Sequence, residues 1–108
     1  MKINIRDMEY ELKYTYNSFK YMEEFDLNEI AELENKPFRM IGTTEELLLG
    51  ALNHNPKVEF GKEEIGEYIE SVLEEGNIME LLEQLMELLQ TSSFFKSLQK
   101  TPTKKSKK

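Results

Sequence analysis

Cysteine is absent from the 108 residues, which excludes disulfides and thiolate chemistry. Histidine occurs once. His54 has no second histidine or cysteine to share a metal with and no partner that would make it a catalytic base, so its place beside asparagines and a proline reads as a surface or capping role. The five glycines, Gly42, Gly50, Gly61, Gly66 and Gly76, never cluster into a phosphate-cradling loop. No Ser-His-Asp set can be assembled. The chain is therefore expected to be no enzyme, with no catalytic residues, no cofactor and no metal. It also lacks an apolar run long enough to span a bilayer, and its opening "MKINIRD" turns polar too early for a secretory signal. These two absences predict a cytoplasmic protein that does not engage a membrane.

What remains is 39% apolar and 32% charged, the balance of a soluble globular domain, and the length suits one modest core. The net charge of −7 conceals an asymmetry. The nine residues "KTPTKKSKK" carry five lysines and no acid, and removing their charge leaves −12. So acidic a body repels phosphates, and nucleic acid is not an expected partner. Residues 100–108 read as a flexible, disordered basic tail, and residues 1–99 as a single domain.

The expected fold is mainly α, with an N-terminal β-hairpin followed by about five helices. Residues 2–14 alternate apolar and polar positions through Ile3, Ile5, Met8, Tyr10, Leu12 and Tyr14, a strand period broken at Arg6-Asp7. Arg-Asp is a poor pair for a primed two-residue turn, which predicts a longer connection. A lone hairpin is marginal in water, so it must pack on helices or pair with another edge.

A helix is expected over 15–25, carrying Tyr16, Phe19, Met22 and Phe25. Asp26 and Glu29 have capping spacing for a second over 27–35, ended by Pro37. Thr43 and Glu46 repeat that device ahead of a leucine-rich helix over 44–54, in which Gly50 costs helicity. The clearest amphipathic pattern is Ile65, Tyr68, Ile69, Val72 and Leu73, giving a helix over 62–75 stopped by Gly76. A last long helix follows over 77–91, then a short one over 93–99.

Projected at about 100° per residue, Ile78, Met79, Leu81, Leu82, Leu85, Met86, Leu88 and Leu89 fall within an arc of roughly 180°. Glu80, Glu83 and Glu87 face the other way, a solubilising face or a dock for a basic partner. Phe94, Phe95 and Leu98 would continue that helix on its acidic side. Either the chain breaks at "TSS", with Ser92 or Ser93 capping a new helix that folds the aromatics back, or they form a separate exposed surface. Glutamate pairs at 23/24, 45/46, 63/64 and 74/75 share no binding-loop spacing and suit helix starts or wet faces.

The order of "INIRDMEYELKYTYNSFKYMEEF", "EELLLGALNHN" and "KEEIGEYIESVLEEGNIMELLEQLMELLQTSSFF" resembles the tail assembly chaperones of long-tailed bacteriophages, particularly those of phages and prophages of Gram-positive bacteria. The Arg6-Asp7 turn departs from the glycine-containing turn of that pattern. The resemblance implies a non-catalytic, mostly helical protein of the host cytoplasm that binds the tape measure protein and keeps it soluble. It further implies recruitment of tail tube subunits around that client, self-association, and absence from the mature virion. Leu81, Leu85, Met86, Leu88, Phe94, Phe95 and Leu98 are the candidate partner-binding residues, since such a stripe would bury a client's apolar helix face and methionine adapts to varied partners. A small acidic regulatory protein, antitoxin-like or a phage-encoded inhibitor acting by protein–protein binding, fits the same features.

Overall fold

The computed structural model describes residues 1–23, 25, 32–33, 35–93 and 95–96. Among them it is mostly helical, with an N-terminal antiparallel hairpin and four helices rather than about five. No helix of the described residues is long and apolar enough to cross a membrane.

Strands β1 (Lys2–Ile5) and β2 (Met8–Glu11) pair with Ile3 opposite Tyr10 and Ile5 opposite Met8. This register leaves a two-residue turn, not the longer one expected. Both Arg6 and Asp7 take positive φ, 52° and 67°, as a type I′ turn requires. An L side chain in that conformation costs free energy that glycine does not pay. Asp7→Gly is therefore expected to stabilise the fold by about 1 kcal/mol, read as a higher urea midpoint with an unchanged slope. The exposed Arg6–Glu67 ion pair, at 3.7 Å, offsets little of the strain.

The ladder stops at Glu11, short of the expected Tyr14, yet the alternation continues into the core through Leu12 and Tyr14, both buried. The Tyr14 hydroxyl donates to the Leu47 carbonyl at 2.8 Å, and burial pushes its ionisation well above the usual phenol range.

Helix α1 is only Tyr16–Phe19, where a helix over 15–25 was expected. Beyond it the chain closes three-residue turns, with the amides of Lys20, Tyr21 and Met22 donating to Asn17, Ser18 and Phe19. The spacing of Phe19, Met22 and Phe25 in steps of three suits such tight turns, whose side chains eclipse at i and i+3, better than a 3.6-residue helix. Of the helix expected over 27–35, most lies outside the described residues; Glu32, Leu33 and Asn35 are in a 3₁₀ conformation, with Leu33 buried.

Helix α2 (Pro37–Leu52) begins seven residues before the expected Thr44. Pro37 starts this helix, at a position where its missing N–H costs nothing. Thr43 and Glu46 are then interior, and the buried Thr44 hydroxyl donates to the Met40 carbonyl at 2.8 Å instead of opening a helix.

Helix α3 (Lys62–Glu75) has the expected bounds, and α4 (Ile78–Gln90) is one residue shorter at each end than 77–91. Between them Gly76 is left-handed, with φ 75°. Its amide bonds Leu73 and that of Asn77 bonds Val72, so a single tight link reverses the chain. The helices pack around α2, which touches α1, α3 and α4 and is buried without interruption from Leu47 to Leu52.

Candidate protein-binding cleft

The apolar arc of α4 is largely spent inside the molecule. Leu81 and Leu85 are 5% and 0% exposed, core residues alongside Leu82 and Leu89 rather than a free surface. Met86, Leu88 and Phe95 are half-buried and pack against that core, while Phe94 and Leu98 lie outside the described residues. Of the seven candidates, then, the described surface offers only the flanks Met86 and Leu88, and Phe95.

The chain breaks after α4 as one of the two readings required. The Thr91 hydroxyl donates to the Glu87 carbonyl at 2.9 Å. The Ser92 hydroxyl donates to the Leu89 carbonyl at 2.7 Å and accepts from the Phe95 amide at 3.1 Å. One side chain thus ends one helix and caps the next turn, in which Ser93, Phe95 and Lys96 are helical. The remainder of the short helix expected over 93–99, and the tail over 100–108, are outside the described residues.

This turn brings the Phe95 ring beside Leu89 and opposite the tight turns that follow α1. Between them lies an apolar cleft of about 120 Å³ lined chiefly by Phe19, Met22, Phe25, Leu89 and Phe95, with Glu23 as its charged side chain. An apolar cavity of about 150 Å³ accepts a benzene molecule, so the cleft has room for roughly one apolar side chain. Phe19 is 48% exposed and Tyr16 73%, an aromatic shoulder next to the opening. The sequence pattern had placed both rings on a longer helix over 15–25. Their spacing by three was the signal that the helix ends early.

A larger concavity of about 730 Å³ lies over the outer side of α2. Lys20, Arg39 and Lys62 face Glu23, Glu45 and Glu46 there, so neither sign of charge prevails. The apolar cleft is the more selective feature.

The polar residues weighed as chemistry have structural partners. His54 sits just past α2, with Nε2 3.2 Å from the Glu11 carbonyl, while its own carbonyl accepts from the Thr15 hydroxyl at 2.8 Å. Glu63 and Glu64 lie in the first turn of α3, where carboxylates complement the helix dipole, and Glu64 accepts from the Gly61 amide. Tyr68 is held above its ordinary range by burial and then by the Glu75 carboxylate. Among the described residues no His, Asp or Glu cluster has the arrangement of a metal site.

Comparison with protein-family models, with curated proteins and with solved structures finds no match.

Proposed function

We propose that this protein is a tail assembly chaperone of a long-tailed phage, which binds the tape measure protein and keeps it soluble until tail tube subunits assemble around it. The observation that carries the reading is the cleft beside Phe95. Its apolar walls and aromatic shoulder suit one anchor residue from the apolar face of a client helix. Methionine at its floor, Met22, adapts to anchors of different shape. The acidic outer faces of α3 and α4, with Glu63, Glu67, Glu70, Glu74, Glu80, Glu83 and Glu87 all exposed, keep a complex with an aggregation-prone client in solution. Action would take place in the host cytoplasm, and the chaperone would leave before the virion is complete.

The test is co-expression with the tape measure protein encoded nearby, followed by co-purification. Phe19→Ala removes a half-exposed ring at little expected cost to the fold. Loss of an aromatic anchor contact is expected to weaken client binding by about 1–2 kcal/mol, roughly tenfold in Kd. A client that stays insoluble beside the wild-type chain would overturn the assignment. Unchanged affinity in a folded Phe19→Ala variant would remove the cleft from it.

A further inference from the structure

We infer that β1 is an edge at which two copies of this chain pair, antiparallel strand to strand, about a two-fold axis through Ile3. The hairpin's register decides which backbone groups are free. In an antiparallel ladder, residues facing each other alternate between pairs that exchange hydrogen bonds and pairs that point their N–H and C=O groups outward. The Leu12 amide donates to the Met1 carbonyl at 2.8 Å, which places Ile3 with Tyr10 and Ile5 with Met8 in the bonded set. Lys2 with Glu11 and Asn4 with Glu9 are then the outward set.

The two edges of the hairpin are treated differently. Along β2 the end nearest α2 is covered: the Glu11 carbonyl faces His54 Nε2 at 3.2 Å, and the Lys13 amide just beyond donates to the Ala51 carbonyl at 3.2 Å, while the Glu9 groups and the Glu11 amide have no hydrogen-bond partner among the described residues. Along β1 the outward groups of Lys2 and Asn4 have no hydrogen-bond partner among the described residues, and both residues are exposed. An open row of this kind is a template for another strand.

The pattern of β1 is complementary to itself. Placing Ile3 opposite Ile3 of a second copy sets Lys2 opposite the copy's Asn4 and Asn4 opposite its Lys2. Both outward residues become bonded pairs, each exchanging two backbone hydrogen bonds. No like charges face each other directly. Ile3 meets Ile3 on the core side, where a close unbonded pair suits branched side chains. β2 could not pair with itself so easily, since Glu9 and Glu11 would oppose their own kind. The strand is only four residues long, so the dimer forms weakly and with concentration. It does not depend on what the cleft binds.

Sedimentation equilibrium of the full chain over rising concentration, up to the millimolar, reads the pairing as a mass that climbs from 12.8 kDa toward twice that value. Asn4→Pro deletes an amide that points outward, so it spares the hairpin ladder and should abolish the climb while the far-ultraviolet circular dichroism stays unchanged. A Lys2→Cys/Asn4→Cys chain has no other cysteine. Bonded antiparallel pairs hold their Cα atoms about 5.5 Å apart, within disulfide reach. Mild oxidation should give a reducible covalent dimer, and the Glu9→Cys/Glu11→Cys control should not. A mass that stays at one chain, a dimer indifferent to a folded Asn4→Pro, or equal cross-linking of the two cysteine pairs would overturn the proposal.

Discussion

Replacing Asn53 by alanine is expected to destabilise the fold by about 3–5 kcal/mol, a large part of the roughly 5–15 kcal/mol that a domain of this size commands. The side chain is fully buried just past the end of α2. Its Nδ2 donates to the Leu49 carbonyl at 2.9 Å and to the Phe60 carbonyl at 3.1 Å, while Oδ1 accepts from the Phe60 amide at 2.7 Å. The amide group thus treats the buried Phe60 as a strand neighbour would and pins the loop between α2 and α3. Alanine strands both backbone groups of Phe60 away from water, each at about 1–3 kcal/mol. Phe60 also makes an edge-to-face contact with Tyr10, ring centres 4.9 Å apart, so the hairpin loosens as well.

Asn53→Asp separates bonding from shape. A carboxylate keeps the bond from the Phe60 amide but sets an oxygen against two carbonyls, which raises its folded pKa. Such a variant is nearest to wild type below the unfolded carboxyl value of about 4, where it is protonated in both states, and falls behind as pH rises. Urea midpoints of the two proteins at matched pH check both the size and the sign.

Gly50→Ala is expected to destabilise the protein by about 1–3 kcal/mol, against the gain of about 1 kcal/mol that helix propensity alone would give. A Cβ on Gly50 would fall 2.6 Å from Met22 Cγ, closer still to its sulfur, and 3.3 Å from the Ser18 carbonyl oxygen. The thioether would have to leave a site where Met22 is only 6% exposed. Met22 is also the floor of the apolar cleft, so the displacement should alter client affinity along with stability. Adding Met22→Ala makes room for the new methyl group. The double variant should therefore lose less than the two single losses combined, and a thermodynamic cycle on thermal or urea unfolding measures that coupling. Additive losses would mean that Met22 and Gly50 do not meet.

What could be read from the residues was uneven, for physical reasons. α3 was legible from end to end because Ile65, Ile69 and Val72 face the core while its glutamates face water, and Gly76 supplies the left-handed stop. The start of α2 was not. Pro37 suits a place just after one helix or at the head of the next, and only packing separates the two. Thr43 and Glu46 copied a capping box inside a helix, where the buried Thr44 hydroxyl bonds the preceding turn. At Arg6-Asp7 composition argued against a two-residue turn, yet the strands on either side impose one. The cleft needed the fold itself. Leu81 and Leu85 looked available until α2 was in place, and the break at Ser92 depends on where a single hydroxyl points.

The seven consecutive buried residues from Leu47 to Asn53 have a consequence for how this sequence can drift. Each has neighbours on every side, so a change there must be answered by another, as Gly50 and Met22 illustrate. Most glutamates on the outer faces of α3 and α4, such as Glu70, Glu74, Glu80 and Glu83, are exposed to water and can be exchanged for almost any polar residue. The fold can thus be passed on through one short, nearly invariant run of leucine, glycine, alanine and asparagine while most of its helical surface is rewritten.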